Sequence, residues 1–150
     1  MWTFISGRLA DGLTLSTGGV ISGIPTWDRP ENPFTFVVRV TDDDGAWDEQ
    51  ELSITVNPVI EITTTTCRSG MVDRPYTHVI LESEGGSLPV AWTVVAGSLP
   101  TGLTLGGATA AITGRVTAAA GDYAFTVRAT EACGGHDEQE LSIHVYPAAI

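Results

Sequence analysis

The sequence predicts an all-β fold built from antiparallel sandwiches, and three observations carry that prediction. Strand-length segments alternate apolar and polar residues with a period of two, the signature of a half-buried strand. Gly (17 residues) and Pro (8) punctuate the chain every few residues, Lys is absent, and no window shows apolar residues at helical spacing. The third observation is that the chain repeats itself. Residues 2–57 begin Trp2-Thr3 and run through GLTL (12–15) and ISG (21–23) to DEQELSI (48–54). Residues 92–146 begin Trp92-Thr93 and run through GLTL (102–105) and ITG (112–114) to DEQELSI again (137–143). The offset is 90 at the tryptophans, 91 at ITG and 89 at DEQELSI, so only short loop changes separate the copies. A repeat on this scale is a whole supersecondary or domain unit.

The elements follow in order. The tryptophan segments open each copy, and both indoles are expected in a sandwich core. Leu13 and Leu15 (Leu103 and Leu105) form a short strand, a glycine turn leads to Val20-Ile21 (Ala111-Ile112), and Gly23 (Gly114) permits a tight reversal. Phe34, Phe36, Val38 and Val40 then alternate with Thr35, Val37 and Arg39, as Tyr123, Phe125, Val127 and Ala129 do with Thr126 and Arg128. The turns DDDGAW and EACGGH lead to Leu52, Ile54, Val56 and Leu141, Ile143, Val145, so a hairpin closes each copy. Residues 61–66 and 76–83 read as two further strands. YTHVILES lacks clean alternation, which predicts a bulge or two-sided burial there. Strands this short and this closely spaced predict a β-sandwich.

Residues 61–91 have no counterpart before Trp2. The expected organisation is therefore a partial domain over 1–58 lacking its front strands, then a complete domain over 59–150, taken from a tandem array. A partial domain of this kind would expose part of the core at Trp2, Leu13, Phe36 and Leu52. It would also leave strand edges unpaired, ready to recruit a strand into a dimer or polymer, with the tail 146–150 as one donor.

The formal net charge of −11 argues against a nucleic-acid partner, which needs a basic stripe, and against anionic membrane surfaces. No apolar run approaches the ~20 residues of a membrane span. The start Met1-Trp2-Thr3 is not a secretion signal; an exported parent would carry that signal upstream.

The string CRSGMVDRPYTHVILESEGGSLPVAWTVVAGSLPTGLTL, followed by ITG and YAFTVRATEACGG, resembles the cadherin-like, dystroglycan-type Ig repeats of bacterial surface and secreted proteins. The resemblance rests on Tyr76, Gly85-Gly86, Pro89, Trp92, the LPTGLTL run (99–105), Ile112, Gly114, Phe125 and Val127. It covers nearly all of 60–146, and 2–57 from the tryptophan strand onward, where Ala10 stands in place of the proline. It implies a tandem immunoglobulin-like sandwich, extracellular or cell-surface placement, a spacer or adhesive role, and no catalytic residues.

Asp42, Asp43 and Asp44, with Asp48, Glu49 and Glu51 nearby, form the candidate calcium site, since Ca²⁺ takes six to eight oxygen ligands. Against it stand the absence of calcium-loop spacing and the second copy, where Glu131, Ala132 and Cys133 occupy the three positions. The other reading is a solvated turn tip whose charges discourage edge-to-edge aggregation. No other cofactor is expected. Cys67 and Cys133, the two cysteines, both lie in the complete copy and are paired as an expected disulfide. Trp27 and Trp47 fall in turn segments and are candidate interface residues, for a neighbouring Ig-like domain or protein chain, or for stacking on a sugar. His78, His136 and His144 match no zinc spacing, and no nucleophile elbow is present.

These readings describe a non-catalytic structural or adhesive repeat of a bacterial extracellular or surface protein. The alternatives are a carbohydrate-binding accessory module beside a glycoside hydrolase, or a subunit of an extracellular filament completed by strand donation.

Overall fold

Glycine and aspartate turns cut both repeats into short strands. The computed structural model describes residues 1–26 and 32–150 and contains strands but no helix among them. The chain divides into two units, Met1–Pro58 and Val59–Ile150.

In the first unit β1 (Trp2–Gly7), β4 (Phe34–Thr41) and β5 (Trp47–Ile54) form an antiparallel sheet in the order β1-β4-β5, and β2 (Leu13–Leu15) pairs with β3 (Ile21–Gly23) as a hairpin. The alternation in β4 sets its orientation: Phe34, Phe36 and Val38 are buried while Thr35 is exposed. Beyond Phe34 the ladder is continued by a side chain. The Asn32 amide donates from Nδ2 to the Val56 carbonyl (2.9 Å) and accepts the Val56 N–H at Oδ1 (3.1 Å).

The second unit begins with a front section of short strands, β6 (Glu61–Ile62), β7 (Gly70–Met71), β8 (Val79–Ile80) and β9 (Ser83–Glu84). Then the repeat follows as β10 (Ala91–Gly97), β11 (Leu103–Leu105), β12 (Ala111–Gly114), β13 (Gly121–Thr130) and β14 (His136–Tyr146). One sheet runs β10-β13-β14-β7, a second β11-β12-β8, and β6 pairs with β9. All pairs are antiparallel except β14 with β7, where Val145 faces Gly70 and Tyr146 faces Met71. The core gathers Ile60, Ile62, Tyr76 and Leu81 from the front section with Trp92, Ile112, Phe125, Val127, Leu141, Ile143 and Val145 from the repeat.

Detailed geometry is repeated as well. Phe4 and Ser6 face Val38 and Val37, so Ile5 is an extra residue; Val94 and Ala96 face Val127 and Thr126, so Val95 is extra in the same place. Each bulge ends on a glycine of positive φ, Gly7 (86°) and Gly97 (66°), where a Cβ would stand 2.4 Å from the Thr35 carbonyl oxygen or 2.3 Å from that of Ala124. The sequence GLTL…I-x-G, with Leu13 facing Gly23 and Leu103 facing Gly114, makes the same hairpin twice, and a Cβ on Gly23 or Gly114 would meet the carbonyl oxygen of Gly12 or Gly102.

The structure revises three expectations. The 61–66 strand shortens to Glu61–Ile62. The 76–83 strand splits, because the chain changes partners at Leu81: Val79–Ile80 pair with β12, the Leu81 N–H bonds the Ala110 carbonyl (2.9 Å), and Ser83–Glu84 pair with β6. This accounts for the missing alternation in YTHVILES. In the first unit Trp2 is half-buried, as is Leu13, and Leu52 is 40% exposed, but Phe36 is buried, not exposed. The Phe4 ring stacks on Phe36 with centroids 6.3 Å apart and supplies cover from within the unit.

Candidate functional site

The most specific polar geometry in the second unit lies where the front section meets the end of the β13–β14 hairpin. The Ile62 N–H donates to Asp137 Oδ2 (2.8 Å), and the Ser87 N–H donates to Glu131 Oε2 (2.5 Å). The Ala132 N–H returns a bond to the Ser87 carbonyl (3.0 Å). Charge-assisted bonds of this kind are about twice as strong as neutral ones. They fix the entry and exit of the front section on the hairpin. Nothing in the sequence marks Glu131, at the place of Asp42, as an acceptor for Ser87; the signal available for Asp137 is that it belongs to the duplicated DEQELSI string.

The Asp42–Asp44 turn corresponds to this hairpin end in the first unit. Asp42 Oδ1 accepts the N–H groups of Asp44 (3.0 Å) and Ala46 (2.8 Å), and the Asp42 N–H bonds the Ala46 carbonyl (2.9 Å). Asp42 therefore closes its own turn, and Asp43 and Asp44 are exposed. Among the described residues no group of three or more His, Cys, Asp and Glu side chains is placed to hold a metal ion, so the three aspartates are not brought together as a ligand set.

The Cys67–Cys133 disulfide is not formed; both side chains are free thiols. Ile62 lies beside Asp137 and Gly70 beside Val145, so the front strand runs alongside β14 and carries Cys67 well along it. Cys133 sits in the turn before β14 begins at His136. At ~3.3 Å per residue the two are on the order of 20 Å apart along the sheet, far beyond the ~5–6 Å between Cα atoms that a disulfide spans. Cys67 is half-buried and Cys133 exposed. Burial pushes the Cys67 thiol up from its ordinary pKa. Nearby, the Tyr76 hydroxyl donates to the Arg68 carbonyl (2.7 Å), and its pKa is pushed up to about 12, by burial first and Cys67 second.

Trp47 is 59% exposed at the start of β5. The Arg39 guanidinium lies over its ring, 4.4 Å from the centroid, while bonding Glu49 Oε1 through Nε (2.8 Å) and Nη2 (2.6 Å). Arg128 and Glu138 repeat this pair in the second unit (Nε to Oε1, 2.7 Å), with His136 in the place of Trp47. Trp27 lies outside the described residues. His144 Nδ1 contacts Asp122 Oδ1 (2.6 Å), apart from any set with His78 or His136.

The residues shared by the copies are those that build the sandwich: the bulge glycine, the hairpin glycines, the phenylalanine and valine of the central strand and its arginine–glutamate pair. The family model described as "Putative Ig domain" matches residues 58–146. The chain belongs to that family. The Ig-like unit it describes contains the whole front section and the repeat that follows. Among solved structures, protocadherin gamma B7 cadherin domains 1–4 share the fold at a TM-score of 0.54, with 13% identity over 98% of this chain and 41% of that one. An endo-fucoidan hydrolase of glycoside hydrolase family 107 does so at 0.50, with 21% identity over 99% of this chain and 24% of that one. A "putative alpha-galactosidase" from Bacteroides fragilis is 25% identical over 58% of this chain and 17% of that one, at a TM-score of 0.49. The Ig-like chain thus spans less than half the length of each. No curated protein matches it. No helix among the described residues is long and apolar enough to cross a membrane.

Proposed function

We propose that this chain is a non-catalytic Ig-like module of a bacterial extracellular or cell-surface protein, serving as a spacer and contact element within a series of such units. The observation that carries this reading is the parallel pairing of the front strand β7 with the last strand β14 in the second unit. Tension along the chain pulls these two strands in opposite directions. It loads their hydrogen bonds, the Val72 N–H to Tyr146 carbonyl bond (3.0 Å) and the Asp137–Ile62 bond in shear, so they resist together rather than one at a time. The cadherin-like architecture and the duplication of its structural residues agree with a load-bearing role. Stretching the intact chain by its ends tests it: the second unit is expected to unfold in one event, lengthening by roughly 300 Å for about 90 residues at ~3.4 Å each. Gradual, strand-by-strand extension at low force would refute it.

A second reading, a carbohydrate-binding accessory module, is favoured by the exposed Trp47 and by the fold shared with the fucoidan hydrolase. Retention on an immobilised polysaccharide, abolished by Trp47→Ala, would replace the spacer reading with this one.

A further inference from the structure

A cleft of about 600 Å³ opens in the second unit between β9 and the segment that leads into β10. Leu81 and Trp92, both buried, form its floor. Leu88 and Pro89 stand exposed along one side, Glu82 and Glu84 along the other. Trp92 is 5% exposed, and no described residue accepts its indole N–H, yet that nitrogen is not sealed from solvent. The floor therefore carries a free donor. In the first unit the turn itself meets this edge of the indole, and a Cβ on Gly19 would stand 2.7 Å from Trp2 Nε1. The corresponding turn of the second unit holds one more residue between the bonds that anchor it, and Ala108 there lines the cleft.

The acidic side is incomplete too. Glu84 directly faces Glu61 across the β6–β9 pair, and both are exposed. Like charges at opposed positions of an antiparallel pair destabilise it. Neither these carboxylates nor that of Glu82 has a partner among the described residues. Leu88, 85% exposed, leaves a large apolar side chain in water beside an apolar floor. A matching ligand brings an acceptor for Trp92, an apolar group for Leu81 and Leu88, and a cation for Glu82 and Glu84. An extended peptide supplies all three. A sugar ring stacks on an aromatic face, and Trp92 offers the cleft only its N–H edge. The net charge of −11 favours the approach of a cationic partner.

We propose that this cleft docks an extended, basic segment of a partner protein in which an apolar residue lies beside a lysine or arginine. A main-chain carbonyl of the segment accepts the Trp92 N–H. Its apolar side chain lies over Leu81 against Leu88 and Pro89. Its cation sits at Glu82 and Glu84 and relieves the opposition of Glu84 and Glu61. In grooves of this kind main-chain bonds give affinity and side-chain pockets give specificity. Every residue of the cleft belongs to the second unit. The site does not depend on that unit bearing load, so the stretching result leaves this proposal standing or falling by itself.

The test probes an array of octapeptides, randomised over Leu, Val, Pro, Ser, Lys, Arg and Glu, with the whole chain and with Leu88→Ser. That side chain is too exposed to hold the fold. The expected result is enrichment of sequences with Lys or Arg beside Leu, Val or Pro, lost in Leu88→Ser. With the strongest binder, the indole N–H resonance of Trp92 should shift while that of Trp47 stays. Glu82→Gln combined with Glu84→Gln should weaken binding about tenfold, the loss of two exposed ion pairs. No enriched sequence, enrichment of Glu, a stationary Trp92 resonance or an affinity unchanged by the double variant each overturns the proposal. Cellohexaose moving the Trp92 resonance where no peptide does would make the cleft a glycan site and overturn it. A Trp92 resonance that moves with the concentration of the chain alone would assign the cleft to a second copy, and would also overturn it.

Discussion

Asp137 Oδ2 holds the backbone N–H of Ile62 at 2.8 Å across 75 residues of sequence, and this bond seats the front strand on the hairpin that closes the sandwich. Removing the carboxylate leaves a half-buried N–H unpaired. Asp137→Ala is expected to destabilise the second unit by about 1.5–3 kcal/mol, the range for a bond to a charged acceptor. Asp48→Ala, with no such partner, is expected to fall within about 0.5 kcal/mol of the parent. Urea denaturation of the two variants measures both.

Tyr76 gives the second unit an alkaline limit. Its hydroxyl is buried against the Arg68 carbonyl, and its pKa rises from the ordinary 10.0 to about 12. A raised pKa means the folded state keeps the proton longer than the unfolded chain does. The contribution is fully present below about pH 10 and is lost as pH rises towards 12. Thermal melts across that range should show a falling midpoint. In Tyr76→Phe the fall should be shallower, from a lower starting stability because the hydrogen bond is gone.

Much of the fold was legible because it was written twice. The period-two alternation of Phe34, Phe36 and Val38 and of Phe125 and Val127 named the central strands and their buried faces. Gly23 and Gly114 marked the tight hairpins. The front section resisted reading because its residues serve two sheets. Val79–Ile80 and Ser83–Glu84 pair with different strands, and a chain that changes partners at Leu81 carries no single period. The cysteine pairing failed for a related reason. Sequence separation says nothing about position along a strand, and the parallel run of the front section beside β14 keeps Cys67 far from the Cys133 turn. The acceptor role of Asp137 was hidden among neighbouring turn acids, since its partner is a main-chain N–H that no side-chain pattern betrays.

The two thiols should differ in reactivity. Cys133 is exposed, whereas Cys67 is half-buried with its pKa raised by burial, so less of it is the reactive thiolate at neutral pH. Timed alkylation of the folded chain followed by mass spectrometry should show Cys133 modified first and Cys67 slowly. Unfolded, unreduced protein should yield two free thiols per chain; a yield of none would restore the disulfide.

Calcium is expected to leave stability unchanged. Asp42 spends Oδ1 on the N–H groups of Asp44 and Ala46, which leaves the turn without a converging set of carboxylates. A ligand that binds the native state raises its stability through linkage. Melting curves in millimolar Ca²⁺ and in chelator should coincide, and a rise of several degrees with Ca²⁺ would return Asp42, Asp43 and Asp44 to the role of ligands.

Leu52 and Leu141 occupy the same position of DEQELSI, face Phe36 and Phe125 across equivalent hairpins, and differ in what covers them. Leu141 lies in a core closed by Ile62, Tyr76 and Leu81 and is 3% exposed, so truncation removes buried apolar surface and opens a cavity. Leu141→Ala is expected to cost about 2–5 kcal/mol. Leu52, 40% exposed, has already kept much of its contact with water, and its truncation should cost less than about 1 kcal/mol. Amide exchange separates the units where a global melt would blend them: Leu141→Ala should speed exchange through β13 and β14 and leave β4 and β5 as they were. Equal costs for the two leucines would mean that Leu52 is as well covered as Leu141.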